Sequence, residues 1–108
     1  MKLGIDSFSL RWQGWDAFQI LDYAARLGLD NVHFSERRHL ATLDTDYLTS
    51  LKRRAAELDL TIEIGMLSFD KFAAAFDAEL GSGEQQLIDM ARAAAIVGSP
   101  IVRCVLGF

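Results

Sequence analysis

Four charged or proton-carrying side chains stand at the same phase of four apolar segments. They are Asp6 in Leu3-Gly4-Ile5-Asp6, His33 in Asn31-Val32-His33-Phe34, Glu63 in Thr61-Ile62-Glu63-Ile64 and Arg103 in Ile101-Val102-Arg103. Side chains alternate between the two faces of a β-strand. If Val32 and Phe34 pack against helices, His33 turns to the opposite face, and the same alternation sends Asp6, Glu63 and Arg103 there. Two carboxylates, an imidazole and a guanidinium on one face can hold hydroxyl groups and move protons. They are costly to enclose unless they pair, meet water or bind a ligand. The structural alternative is that Glu63 and Arg103 neutralise each other across neighbouring strands, that His33 is a satisfied core histidine and that Asp6 caps a loop. Ser35 and Glu36 follow His33 where its strand ends, which favours a site. Trp12, beside Trp15, forms either an apolar wall for a substrate or ordinary packing.

The elements that must position these residues come from a repeat. Ala24-Ala25, Ala55-Ala56 and Ala94-Ala95 recur at intervals of 31 and 39 residues, each followed by a short turn and an apolar strand start. That is the length of a βα unit. The pattern predicts strands over Leu3–Leu10, Asn31–Ser35, Leu60–Leu67 and Ile101–Leu106. It predicts helices ending at Gly28, from Asp44 or Thr45 through Leu58, and over Glu84–Val97, with a short extra helix over Phe72–Leu80. Polar residues gather at the C-terminal ends of the strands, where active sites of (β/α)8 barrels sit. The expected fold is α/β: a (βα)3β half of a TIM barrel with parallel strand order 1-2-3-4 and all three helices on one side. A doubly wound sheet is the alternative, and it needs the order to reverse.

Composition narrows the function classes. The chain has 108 residues, one core's worth, of which 51% are hydrophobic, with mean hydropathy +0.15. Strands buried on both faces account for that richness. No run approaches a membrane span and the start is not a signal peptide, so the expected location is cytoplasmic, away from membranes. A net charge of −4 argues against nucleic acid as a partner. The basic clusters Arg37-Arg38-His39 and Lys52-Arg53-Arg54 read as solvated faces. Cys104 reads as a small buried hydrophobe. No metal-ligand spacing occurs, and Glu84 opposes an anion at Gly81-Ser82-Gly83.

Lys2-Leu3-Gly4-Ile5-Asp6, Ala25-Arg26-Leu27-Gly28-Leu29-Asp30-Asn31-Val32-His33-Phe34 and Gly98-Ser99-Pro100-Ile101-Val102-Arg103 together resemble the xylose isomerase-like TIM barrels, the superfamily of sugar-phosphate isomerases and epimerases. The resemblance runs over residues 1–108 and implies the N-terminal half of such a barrel. Members often carry glutamate where His33 stands. The family's divalent metal (Mn, Mg or Zn) is held by later strands, so no metal ligand is expected in this chain and no catalytic residue is assigned. The implied substrate is a small sugar or polyol, and the substrate-facing candidates are His33, Glu63, Arg103, Asp6 and Trp12. A half barrel is expected to be inactive alone and to need either its C-terminal half or a second copy in a homo-oligomer. The alternative function is a self-associating half-barrel module without catalysis, closing over its inner face.

Overall fold

The computed structural model describes residues 2–105. Seven regular elements alternate along the chain. They are β1 (Gly4–Asp6), α1 (Ala17–Arg26), β2 (Asn31–Phe34), α2 (Thr45–Glu57), β3 (Thr61–Gly65), α3 (Gly83–Val97) and β4 (Val102–Arg103). The four strands form one sheet in the order β1-β2-β3-β4, every neighbour pair parallel. Among the described strands the order never reverses, which is the feature a doubly wound sheet requires.

The double alanines mark one construction used three times. Each helix ends when the N–H five residues beyond the first alanine of the pair bonds back to that alanine's carbonyl: Leu29 to Ala24, Leu60 to Ala55 and Ser99 to Ala94. This bond closes a helix through a residue of positive φ. Gly28 and Gly98 supply that conformation after α1 and α3, and Asp59 supplies it at φ 59° after α2. The first alanine of each pair is buried, so a small side chain stands where the helix meets the sheet. The starts are equally local. Asp16 and Gln19 form a reciprocal capping box at α1, and Ser82 Oγ accepts from Gln85 N at α3. A cap of this kind is worth about 1 kcal/mol.

The core lies on one side of the sheet. Val32, Phe34, Ile62 and Ile64 are buried with Leu21, Leu48, Leu51 and Met90 of the three helices. On the other side the strands carry Asp6, Asn31, His33, Thr61 and Glu63, all partly or fully exposed. The uncovered face is therefore polar along its strands. Among the described residues no helix is long and apolar enough to cross a membrane.

Four expected elements differ. The first strand stops at Asp6 rather than Leu10, because Asp6 Oδ1 accepts from Phe8 N at 2.9 Å and turns Ser7–Leu10 into a 3₁₀ helix. The extra helix over Phe72–Leu80 is replaced by turns, with one 3₁₀ turn at Ala78–Leu80. Asp70 and Asp77 accept from the backbone two residues on, and each such bond competes with helix formation. The third strand ends at Gly65, two residues short of Leu67, and the fourth is confined to Val102–Arg103. Leu106, the expected end of that strand, lies outside the described residues.

Candidate functional site

Register places the candidates. Asp6, His33 and Glu63 are direct partners across β1, β2 and β3, and Arg103 is the partner of Gly65. Arg103 thus stands on β4 about two residues nearer the strands' C-terminal ends than Glu63. Its side chain crosses over Gly65 and reaches β2. Nε donates to His33 Nε2 at 3.2 Å and a terminal nitrogen donates to Ser35 O at 3.0 Å. Glu63 approaches the other ring nitrogen of His33, with 3.7 Å between Nδ1 and Oε1. The guanidinium can only donate, so Nε2 accepts and the ring proton sits on Nδ1, facing Glu63. Glu63 and Arg103 therefore meet His33 from opposite sides instead of pairing with each other.

Asp6 serves two purposes at the end of β1. Its Oδ1 caps the 3₁₀ turn and also accepts from Ser35 Oγ. Ser35 is a junction, since its N–H donates to Ser7 Oγ at 3.2 Å and its carbonyl receives Arg103. Ser7 Oγ lies 2.7 Å from His39 Nδ1. His39 Nε2 lies 3.6 Å from Glu36, whose carboxylate also binds Arg38. Ser7, Ser35 and Glu36 are all buried. One network thus runs along the C-terminal edge of β1 and β2, from Arg103 through Ser35 to His39.

Trp12 stands outside the first group. It is 84% exposed and lines a cleft with Phe8, Arg11, Arg38 and His39. Trp15 packs on Tyr23 with ring centroids 5.0 Å apart. Ser7, Glu36 and His39 are not among the residues the sequence singles out, where His39 reads as part of a solvated basic cluster. The available signal was Ser35-Glu36 following His33, which marks polar chain at a strand end. Nothing local announces that His39, in a 3₁₀ turn over Arg37–Leu40, folds back onto Ser7.

Burial holds the proton affinity of His39 below the usual histidine value of 6.5; Glu36 and Asp6 oppose that, while Arg38 and Arg11 reinforce it. The unfolded chain then takes up this proton first as the solution is acidified. Stability from His39 is full above about pH 6.5 and is lost as pH falls through the lowered folded value. The urea midpoint is expected to drop between about pH 7.5 and 5, and His39→Gln should flatten that slope. An unchanged slope in the variant would assign the dependence to other groups. Burial pushes the Cys104 thiol up, away from the thiolate a nucleophile needs.

Among the described residues no three histidine, cysteine, aspartate or glutamate side chains converge to hold a metal ion. The arrangement offers hydrogen-bond donors at Arg103 and acceptors at Glu63 and Asp6, with an imidazole between them. That set suits hydroxyl groups on a small polar molecule. No protein-family model matches this chain, and no curated protein matches it.

Proposed function

We propose that this chain is the N-terminal half of a (β/α)8 barrel of the sugar or sugar-phosphate isomerase and epimerase type. Its uncovered polar face forms one wall of the substrate site. The observation that carries the reading is the Glu63–His33–Arg103 group laid across three parallel strands on the side away from the helices. A face built only for packing would not hold a guanidinium over a glycine to reach an imidazole. Arg103 donates to a substrate carbonyl or hydroxyl oxygen, Glu63 accepts from a hydroxyl, and His33 keeps both side chains apart and aligned. A divalent ion, where such chemistry uses one, would polarise the sugar carbonyl. Among the described residues no three ligand-type side chains converge, so the part proposed for this wall is binding and orientation.

The uncovered face is also where the remaining barrel wall belongs, supplied by further chain or by a second copy. The test of the site is a ¹H–¹⁵N NMR titration with small aldoses, ketoses and polyols. His33, Ser35, Glu63 and Arg103 should shift together, with dissociation constants in the range of about 1–10 mM for a single wall. Arg103→Gln removes a charge-assisted donor and should weaken binding about tenfold or more. Shifts that leave these four residues untouched would remove the sugar reading.

A further inference from the structure

We propose that Arg11, Arg38 and His39 form an anion subsite that takes the phosphate of a small phosphomonoester. The proposal deepens the reading above by making the substrate a sugar phosphate, and it rests on that reading for the rest of the ligand. The subsite is a cleft of about 310 Å³ lined by Phe8, Arg11, Trp12, Arg38 and His39. No carboxylate lines it, although the chain as a whole carries a net charge of −4.

The three side chains are prepared differently. Arg11 is held against Phe8, its guanidinium 3.7 Å from the centroid of the ring and one terminal nitrogen donating to Phe8 O at 2.7 Å. Among the described residues no carboxylate comes within ion-pairing distance of it. Arg38 uses Nε to bind Glu36, which leaves its two terminal nitrogens on a side chain that is 69% exposed. Glu36 is thereby occupied, and Asp6, the other nearby carboxylate, already accepts from Phe8 N and Ser35 Oγ. His39 is fixed between Ser7 and Glu36. Two planar guanidiniums with unused donors fit a tetrahedral dianion better than any neutral group.

The subsite is linked to the Arg103 group by a chain of hydrogen bonds. Ser35 touches both groups, binding Arg103 through its carbonyl and Ser7 through its N–H, and Ser7 in turn holds His39. The exposed Trp12 and Phe8 rings flank the cleft and offer apolar surface to the carbon chain of a phosphomonoester.

The test is an NMR titration of the full chain at fixed ionic strength with inorganic phosphate, glucose 6-phosphate and glucose, read at the Arg11 and Arg38 side-chain N–H signals. Inorganic phosphate and glucose 6-phosphate should shift both signals, glucose 6-phosphate should bind more tightly, and glucose should shift neither. Arg11→Gln with Arg38→Gln should weaken phosphate binding about tenfold or more. Arg38→Gln alone, on an exposed side chain, should weaken it about threefold and guards against misfolding of the pair. Lys52→Gln with Arg53→Gln removes equal charge from α2 and should change it less than about twofold. Equal losses in the two double variants or silent arginine signals would each overturn the proposal. If glucose 6-phosphate shifts Arg11 and Arg38 but leaves His33 and Arg103 unmoved, the sugar wall fails while the anion subsite stands; the converse result separates them the other way.

Discussion

Phe34→Ala is expected to destabilise the chain by about 3–5 kcal/mol, whereas His33→Ala, one residue away, should cost about 1 kcal/mol. Phe34 is fully buried in the layer between sheet and helices, and its removal leaves a cavity that Leu48, Leu51 and Ile64 cannot close without moving. Domains of this size are stable by about 5–15 kcal/mol, so the variant stands near the edge of folding. His33 points the other way and loses its bond from Arg103, which keeps its second bond to Ser35 O. Urea denaturation reads both, as a shift in midpoint without a change in slope. Ligand shifts read the reverse order, because His33→Ala empties the centre of the polar wall and Phe34→Ala leaves it intact wherever the chain still folds. Comparable stability losses in the two variants would mean that the faces of β2 are assigned the wrong way round.

That contrast is legible in the sequence, because it depends only on alternation and on which side the helices lie. Val32 and Phe34 are apolar and His33 is not, and a right-handed crossover puts every helix of a 1-2-3-4 sheet on one side. The double alanines were legible for the same reason: three copies of one helix ending need the same small residue at the same place. What the sequence hid was chain whose path is set by a single side chain. Asp6 reads as the polar end of a strand, yet its carboxylate reaches Phe8 N and ends the strand there. Residues 72–80 have helical spacing, and two aspartates that bind their own backbone override it. Arg37-Arg38-His39 reads as solvated surface, and only the tertiary bond to Ser7 draws His39 inward. Asp6, His33, Glu63 and Arg103 fall on one face because strands have a period of two; Ser7 and His39, which sit in turns, carry no such period. The alternative pairing of Glu63 with Arg103 is not made, because Arg103 passes over Gly65, its partner on β3, to bond His33 and Ser35.

Gly65→Val carries the second large effect, and it tests that register directly. From β4 to β2 is two strand spacings, about 9.5 Å, and Arg103 bridges them only because the intervening residue has no side chain. A Cβ added at Gly65 would stand 3.0 Å from Arg103 O, 3.2 Å from Arg103 Cβ and 3.3 Å from His33 Nε2. The first of these atoms belongs to the backbone of β4, whose carbonyl also receives Met66 N at 2.8 Å, so relief requires the strand to move. Valine adds two further methyl groups into the path of the guanidinium. Overpacking of this kind costs about 1–3 kcal/mol, and loss of the crossing bonds adds about 1 kcal/mol. Stability alone would not separate a general clash from loss of the bridge, but the imidazole does. With Arg103 in place His33 Nε2 accepts and Nδ1 carries the proton; with the bridge gone, Nε2 is released to water and the tautomer is expected to move toward Nε2–H. Long-range ¹H–¹⁵N spectra of the ring nitrogens distinguish the two forms. A valine variant that is destabilised but keeps the Nδ1–H tautomer would show that Arg103 reaches His33 by another route, and sugar binding should then survive; if the tautomer changes, binding at Arg103 should be lost with it.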